Sequence, residues 1–435
     1  MSVKPAPGLT MGAIFFFLTL FCTPALAQPK IVYTGWGSPS EIESIDAEIA
    51  AFHRKYPDLN VTIENQFVPW DGYHEKLIVQ AAAGTLPDVM LISSAFFLNI
   101  AVYDMFLDLG PYFERDQLQE EHLPPGSLSF LTVRGKLSAL PAGGFRPGSP
   151  MVNIHQDLFD QAGLPYPAND WTWDDVTVYA RSLTRDTNGD GAPDQFGVDF
   201  AKTTWEAVWE YMLRAHGGSI WNEDFSAAAI NSEAAQQVFT FLKDLDDRWG
   251  VSGGEFNSGN VGMSIAWASE AARRLEQLPF RVGVHPLPLG PHGRGLGPAT
   301  GRTHVYAISK NTQHPELAWN FVKFLVTDPE AALARRLNSV ASPGYRPAFE
   351  AWAQHFPDET RAWLEVGLLY IDETPPPRYS GDVLLISYDD QQQILTKWLT
   401  RFYAGEIPIA EALSGIESEL NVRLREVRQR AGESH

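Results

Sequence analysis

Three β-favouring runs alternate with two helical stretches after Gln28, and this order constrains the fold more than any other feature of the chain. The runs that favour strands are Ile31-Val32-Tyr33, Val61-Thr62-Ile63 and Asp88-Val89-Met90-Leu91-Ile92. One helix is predicted from the capping-box pattern Ser38-Pro39-Ser40-Glu41, and a second over Tyr73 to Ala83. A β-α-β-α-β order implies a parallel sheet with helices on its faces, so the predicted fold class is α/β.

Strand polarity places a candidate ligand site before any other argument is needed. In open α/β sheets, ligands bind outside the carboxyl ends of the strands. Trp36 follows the first strand, and Ser93 and Ser94 follow the third. We therefore expect these three residues to lie on one rim of the sheet and to contribute to binding.

The first 27 residues have the pattern of a secretory signal. Lys4 precedes an apolar run over residues 13–21, and Ala25-Leu26-Ala27 supplies the small residues that signal peptidase requires, so cleavage is expected before Gln28. An uncleaved anchor and a lipoprotein lipidated at Cys22 are the alternatives, and Phe21 disfavours the second because a small residue is needed there. Cys22 is the single cysteine, so the mature chain is expected to fold in the periplasm without a disulfide.

Length and charge narrow the function classes. A chain of 435 residues predicts two or three folding units. Its formal net charge of −20 argues against a nucleic-acid partner and against adhesion to anionic membranes, because both need a basic surface. A neutral solute is compatible with this charge.

Catalytic and metal-binding signatures are weak. The chain contains no HExxH and no GxSxG motif, and its histidines lack ligand spacing, so no catalytic residue, metal or cofactor is predicted. The acid pairs Asp246-Asp247 and Asp389-Asp390 suit a solvated helix face better than a glycosidase, because adjacent acids on a helix point apart. The stretch Asp186 to Asp194 matches the first half of a calcium loop but has Gly197 where that loop needs a bidentate Glu, which leaves an exposed turn or a calcium site.

Tryptophans are abundant near the predicted ends of helices and strands. Packing in a core is the common use of a tryptophan, but an aromatic ring can also receive the C–H face of a sugar. The tryptophans near element ends are Trp36, Trp70, Trp171, Trp173, Trp205, Trp209, Trp221 and Trp267.

The mature chain contains several short motifs that are weak singly but specific in their order and spacing. The motifs are Ala82-Ala83-Gly84-Thr85-Leu86-Pro87-Asp88-Val89, Asp157-Leu158-Phe159-Asp160-Gln161-Ala162-Gly163-Leu164, Trp173-Asp174-Asp175, Val261-Gly262-Met263-Ser264-Ile265, Pro286-Leu287-Pro288, the run from Pro315 to Leu325, and the run from Gly405 to Leu413. In these motifs the chain resembles the family 1 extracellular solute-binding proteins, the group that includes maltose-binding protein.

The resemblance implies a two-lobe periplasmic binding protein fold of type 2, with each lobe a sheet flanked by helices and the ligand in the cleft between the lobes. The first lobe would comprise residues 28–143 and 302–352, and the second residues 144–301 and 353–435. The implied ligand contacts are Trp36, Ser93, Ser94, Trp267, Ser269, Thr303, His304, Tyr345 and Arg346. Trp205, one of the tryptophans near predicted element ends, is a further candidate contact. Relatives often have a glycine before the aromatic residue that corresponds to Trp267, and this chain does not.

The resemblance also implies a function. The chain would be the substrate-binding component of an ABC importer, a monomer that captures a sugar or oligosaccharide and delivers it to permease subunits in the inner membrane. A polyol, glycerophosphodiester or polyamine remains an alternative solute, and Arg146 and Arg346 leave an acidic sugar or sugar phosphate open. A secreted carbohydrate-active enzyme is the alternative from another class.

Overall fold

A computed structural model of the protein describes residues 1–2, 28–37, 39–124, 126–142, 150–200, 202, 209–296, 304–335, 343–357, 361–373, 386 and 388–433. Residues 3–27, which carry the expected signal sequence, lie outside the described residues.

The predicted alternation is confirmed for the first three strands and the first two helices. The strands are β1 (Lys30–Thr34), β2 (Thr62–Asn65), β3 (Val89–Ser93), β4 (Thr132–Val133), β5 (Lys136–Leu137), β6 (Leu140–Pro141), β7 (Pro150–His155), β8 (Phe196–Val198), β9 (Val261–Trp267), β10 (Val282–His285) and β11 (His304–Ile308). The helices are α1 (Pro39–Lys55), α2 (Tyr73–Ala83), α3 (Ser94–Ala101), α4 (Gly110–Arg115), α5 (Ser127–Leu131), α6 (Gln156–Ala162), α7 (Trp173–Leu183), α8 (Trp209–Ala215), α9 (Glu233–Asp247), α10 (Ala268–Gln277), α11 (Pro315–Thr327), α12 (Pro329–Arg335), α13 (Arg346–Ala353), α14 (Ala362–Glu373), α15 (Tyr388–Tyr403) and α16 (Ile409–Glu433).

The first sheet has the strand order β2-β1-β3-β11-β6. The predicted parallel pairing of β1 with β2 and β3 is confirmed. Strand β11 enters from a distant part of the chain and runs antiparallel to β3, with His304 opposite Ser93. The first residue of β11 therefore lies beside the last residue of β3, at the edge where the three parallel strands end.

The second sheet has the order β10-β7-β9-β8. Strand β7 runs antiparallel to β9, and Pro150 at its start lies opposite Trp267 at the end of β9. His155, the last residue of β7, therefore lies about 16 Å away along the strand, at the other edge of the sheet.

Each sheet has its own hydrophobic core. Helix α1 packs in the first core through Ile45, Ile49 and Phe52, which are at most 7% exposed. The second core lies around residues 150–296 and the helices after α12. Phe349 and Trp352, which the predicted boundary assigns to the first lobe, pack in the second core. Two cores, each with a sheet flanked by helices, confirm the α/β class.

Candidate functional site

Six aromatic or imidazole side chains meet at the carboxyl edge of the first sheet, and we call them the aromatic cluster. Five of them follow β1 or β2 or lie in the first turn of α2 or α3, and one opens β11, so strand polarity brings them to one edge. The members of the cluster are Trp36, Trp70, Tyr73, His74, Phe96 and His304.

Trp36 is positioned by backbone pairing that continues past the ends of β1 and β2. The Val68 N–H donates to the Gly35 carbonyl at 3.1 Å, and the Gly37 N–H donates to the Val68 carbonyl at 3.0 Å. A Cβ on Gly35 would lie 2.4 Å from the Phe67 ring, so glycine permits this close approach. The pairing directs the Trp36 indole toward the rim of the sheet.

The solvent side of the cluster is formed by two indoles and one imidazole. Trp36 packs edge-to-face on Trp70 at 5.0 Å and on His304 at 4.7 Å between ring centroids. Trp70 is 44% exposed, and His304 is also exposed. Edge-to-face packing holds the rings in place while apolar ring surface still faces water, an arrangement suited to stacking a ligand.

The inner side of the cluster is buried and hydrogen-bonded. The Tyr73 hydroxyl donates to the Leu91 carbonyl at 2.8 Å, and burial raises the pKa of Tyr73. His74 Nε2 accepts from the Ser93 backbone N–H at 3.1 Å. Burial, with a smaller contribution from nearby His304, lowers the pKa of His74 to about 3, so this imidazole is neutral at neutral pH.

The structure brings three of the expected ligand contacts together: Trp36, Ser93 and His304. Ser94 opens α3 directly after Ser93. Sequence reasoning included Trp70 only among the tryptophans near element ends, and it missed Tyr73, His74 and Phe96. The same strand-polarity argument applied to the end of β2 would have indicated Trp70 and the start of α2.

The second lobe places a further indole at a strand end. Trp267 is the last residue of β9 and is partly exposed, and α10 starts immediately after it with Ser269 in its first turn.

Tyr345 and Arg346 form the start of α13, where the Tyr345 hydroxyl accepts from the Gln119 N–H at 3.3 Å. Trp205, Thr303 and Arg146 lie outside the described residues.

The acids considered for catalysis or calcium have other partners. Asp246 forms an ion pair with Lys202, and Asp247 forms one with Lys243 at 2.8 Å. Asp390 forms an ion pair with Arg423 at 2.5 Å.

Asp186 accepts hydrogen bonds from the backbone N–H groups of Gly189 and Gly191 within its own loop. Across the described residues, no group of three or more His, Cys, Asp or Glu side chains is arranged to hold a metal ion.

Comparisons with known proteins point to one family. Residues 38–332 match the family model described as bacterial extracellular solute-binding protein. The arabinooligosaccharide-binding protein of Bacillus subtilis is 22% identical over 294 residues, which are 63% of this chain and 64% of that protein. The chain spans about two thirds of the length of the curated relatives it matches.

Solved structures share the fold over nearly the whole chain. An ABC substrate-binding protein of Listeria monocytogenes in complex with cycloalternan has a TM-score of 0.70 and 22% identity, covering 91% of this chain and 98% of its own. The cyclic alpha-maltosyl-1,6-maltose binding protein of Arthrobacter globiformis has a TM-score of 0.70 and 19% identity, covering 92% of this chain and 100% of its own.

Within the described residues, no helix is long and apolar enough to cross a membrane.

Proposed function

Because this chain belongs to the bacterial extracellular solute-binding protein family, we propose that it captures a sugar or oligosaccharide and delivers it to the permease of an ABC importer. It acts in the periplasm as a monomer, after removal of the segment before Gln28. The Listeria protein with the same fold is in complex with cycloalternan, and the Arthrobacter protein is a cyclic alpha-maltosyl-1,6-maltose binding protein, which supports a carbohydrate for this chain.

The aromatic cluster is the observation that carries this proposal. Trp36 and Trp70 expose apolar ring surface at the rim of the first sheet, and a sugar presents a C–H face that packs on such a surface. Ligand sites are mostly apolar with a few placed polar groups, and here the Ser93 turn and His304 supply polar groups beside the indoles.

The composition of the cluster favours a neutral solute over the charged alternatives. None of its six members is a carboxylate, although a polyamine needs carboxylates for its ammonium groups. An acidic sugar or a glycerophosphodiester would need a cation, for which Arg346 at the start of α13 and Arg146 stay the candidates. A polyol lacks the broad C–H face that the two indoles match.

The second half of the site is proposed to come from the other lobe. Trp267 ends β9 with its ring partly exposed, as Trp36 does after β1. Trp205 and Ser269 belong to the same lobe as Trp267, and Ser94, Thr303 and Tyr345 of the first lobe complete the proposed contact set. A solute that touches both rims only when the cleft is closed shifts the population toward the closed form, and hinge closure of this kind is how periplasmic binding proteins enclose their ligands.

A thermal-shift screen against neutral mono- and oligosaccharides, polyols, glycerophosphodiesters and polyamines tests the proposal. A ligand that binds only the folded state raises the melting temperature, so a neutral saccharide should give the largest shift. Calorimetry should then show saturable binding, and chromatography should recover the saccharide unchanged. A polyamine or phosphodiester as the strongest ligand would refute the solute class, and cleaved saccharide would support the carbohydrate-active enzyme.

A further inference from the structure

His74 lies at the centre of the aromatic cluster without reaching solvent. Its side chain belongs to the second residue of α2 and is 1% exposed. The ring stacks on Phe96 at 4.3 Å with an interplanar angle of 10°, and it packs against Trp36 at 4.9 Å and Trp70 at 4.8 Å. Both solvent-facing indoles therefore rest on the same buried imidazole.

The same imidazole also holds the backbone where β3 turns into α3. Ser93 is the last residue of β3 and the N-cap of α3, and its N–H donates to His74 Nε2 at 3.1 Å. The N–H of an N-cap residue has no partner within its own helix. Without the Nε2 acceptor this buried N–H would be left without a partner, which is costly in a low-dielectric interior.

Histidine combines two properties at this position, a flat ring that stacks and a ring nitrogen that accepts a hydrogen bond. Phenylalanine could stack on Phe96 but could not accept from Ser93, and glutamine could accept but could not stack. Because Nε2 accepts, the proton of the neutral ring is on Nδ1. The lowered pKa of His74 keeps Nε2 available as an acceptor from neutral pH down to about pH 4.

We propose that His74 is a positioning residue for the ligand site: it stays out of contact with the solute, and it fixes the Ser93 turn relative to the Trp36 and Trp70 rings. This role rests on the proposed function only in that the turn and rings bind the solute. The arrangement itself exists in the ligand-free protein and can be tested there.

Amide hydrogen exchange at Ser93 in the ligand-free full chain is the deciding measurement. His74→Phe should raise the exchange rate of the Ser93 amide about tenfold or more, because the acceptor is lost while the ring stack is kept. His74→Gln, which keeps an acceptor, should stay within about threefold of wild type. An unchanged rate in His74→Phe, or a rate in His74→Gln as fast as in His74→Phe, overturns the proposal.

His155→Phe is the matched control, because His155 also stacks on a phenylalanine but lies at the far edge of the second sheet. It should leave Ser93 exchange unchanged, and a change equal to that in His74→Phe would make the effect global rather than local. Histidine-selective ¹⁵N NMR of the wild type is a second test that does not depend on a folded variant. It should show His74 with the proton on Nδ1, and a proton on Nε2 would contradict the hydrogen bond.

Failure of the proposed function appears in a different measurement. If no saccharide raises the melting temperature of the wild type, the solute class is wrong while the exchange data still decide the positioning role. If saccharides bind, His74→Phe should weaken the affinity for the strongest saccharide of the screen about tenfold, and His74→Gln should restore most of it. Equal affinities of wild type and both variants would overturn the link between His74 and binding.

Discussion

Each lobe contains a buried histidine stacked flat on a phenylalanine, and the two pairs differ in what surrounds them. In the first lobe His74 lies 4.3 Å from Phe96, and in the second His155 lies 3.9 Å from Phe280. His74 Nε2 accepts from the Ser93 backbone. His155 Nδ1, by contrast, has no hydrogen-bond partner among the described residues.

The difference follows from strand direction. His74 opens a helix at the carboxyl edge of parallel strands, where the aromatic cluster gathers. His155 ends β7, which runs antiparallel to β9, so it lies at the edge opposite Trp267. The same stacked pair therefore lies beside the candidate site in one lobe and at the edge opposite Trp267 in the other. What surrounds such a local motif depends on the edge of the sheet at which it lies.

The largest expected effect that distinguishes the two pairs is on acid stability. His74 has a pKa of about 3 in the folded protein, against 6.5 for a histidine in water, so the unfolded chain binds the proton more tightly. Above pH 6.5, protonation of His74 therefore does not change the free energy of unfolding. As the pH drops from 6.5 toward 3, this residue alone lowers the free energy of unfolding, by about 4 kcal/mol at pH 3. Urea unfolding of His74→Gln between pH 3 and 8 should show a correspondingly smaller loss of stability in acid.

The matched variant His155→Gln sharpens the comparison. Burial lowers the pKa of His155 as well, but nearby Asp157 opposes the effect. Removing His155 should therefore reduce the loss of stability in acid by less than removing His74 does. An equal reduction in the two variants would mean that the histidines differ in location but not in their effect on stability.

The second effect concerns affinity and tests the exposed side of the first pair. Trp70→Ala removes a 44% exposed ring that lies 4.8 Å from His74. Loss of a stacking platform should weaken saccharide binding by about 1–3 kcal/mol, measured by calorimetry, and should reduce the change in tryptophan fluorescence on binding. The control is Tyr166→Ala, which removes a 38% exposed ring on the second lobe. Equal affinities of the two variants would place the ligand elsewhere.

Sequence reasoning anticipated the first three strands, the first two helices and part of the rim, because these depend on local patterns. Tyr73 to Ala83 is α2 as predicted, and the polarity of β1 and β3 indicated Trp36 and Ser93. His74 was missed because a histidine in a helix gives no local sign that its ring will meet a backbone N–H nineteen residues later. Long-range contacts of this kind depend on how α2 packs on β3, which no short motif encodes.

A third effect, of opposite sign, distinguishes the lobes by their buried charges. Burial raises the pKa of Asp199 in the second lobe, against the opposing hydrogen bond from Ser264. A raised pKa means that the folded state binds the proton more tightly, so this carboxylate is costly at neutral pH and the cost disappears on acidification. Asp199→Asn should therefore raise the free energy of unfolding at pH 7 by on the order of 1 kcal/mol and have less effect at pH 4. A variant less stable at pH 7 would show that the charge is needed.

The smallest effect tests whether the lobes are independent. Helix α7 in the second lobe begins with a capping box, in which Thr172 Oγ1 accepts from the Asp175 N–H at 3.4 Å and the Thr172 N–H donates to Asp175 Oδ2 at 2.7 Å. Thr172→Ala should cost roughly 0.5–1 kcal/mol in urea unfolding, and Thr172→Ser should cost less because it keeps the hydroxyl. Because α7 packs in the second core, Ser93 amide exchange in the first lobe should match wild type in both variants. Faster Ser93 exchange in Thr172→Ala alone would show that the two cores unfold as one unit, and the contrast between His74 and His155 would then be one of position within a single cooperative structure.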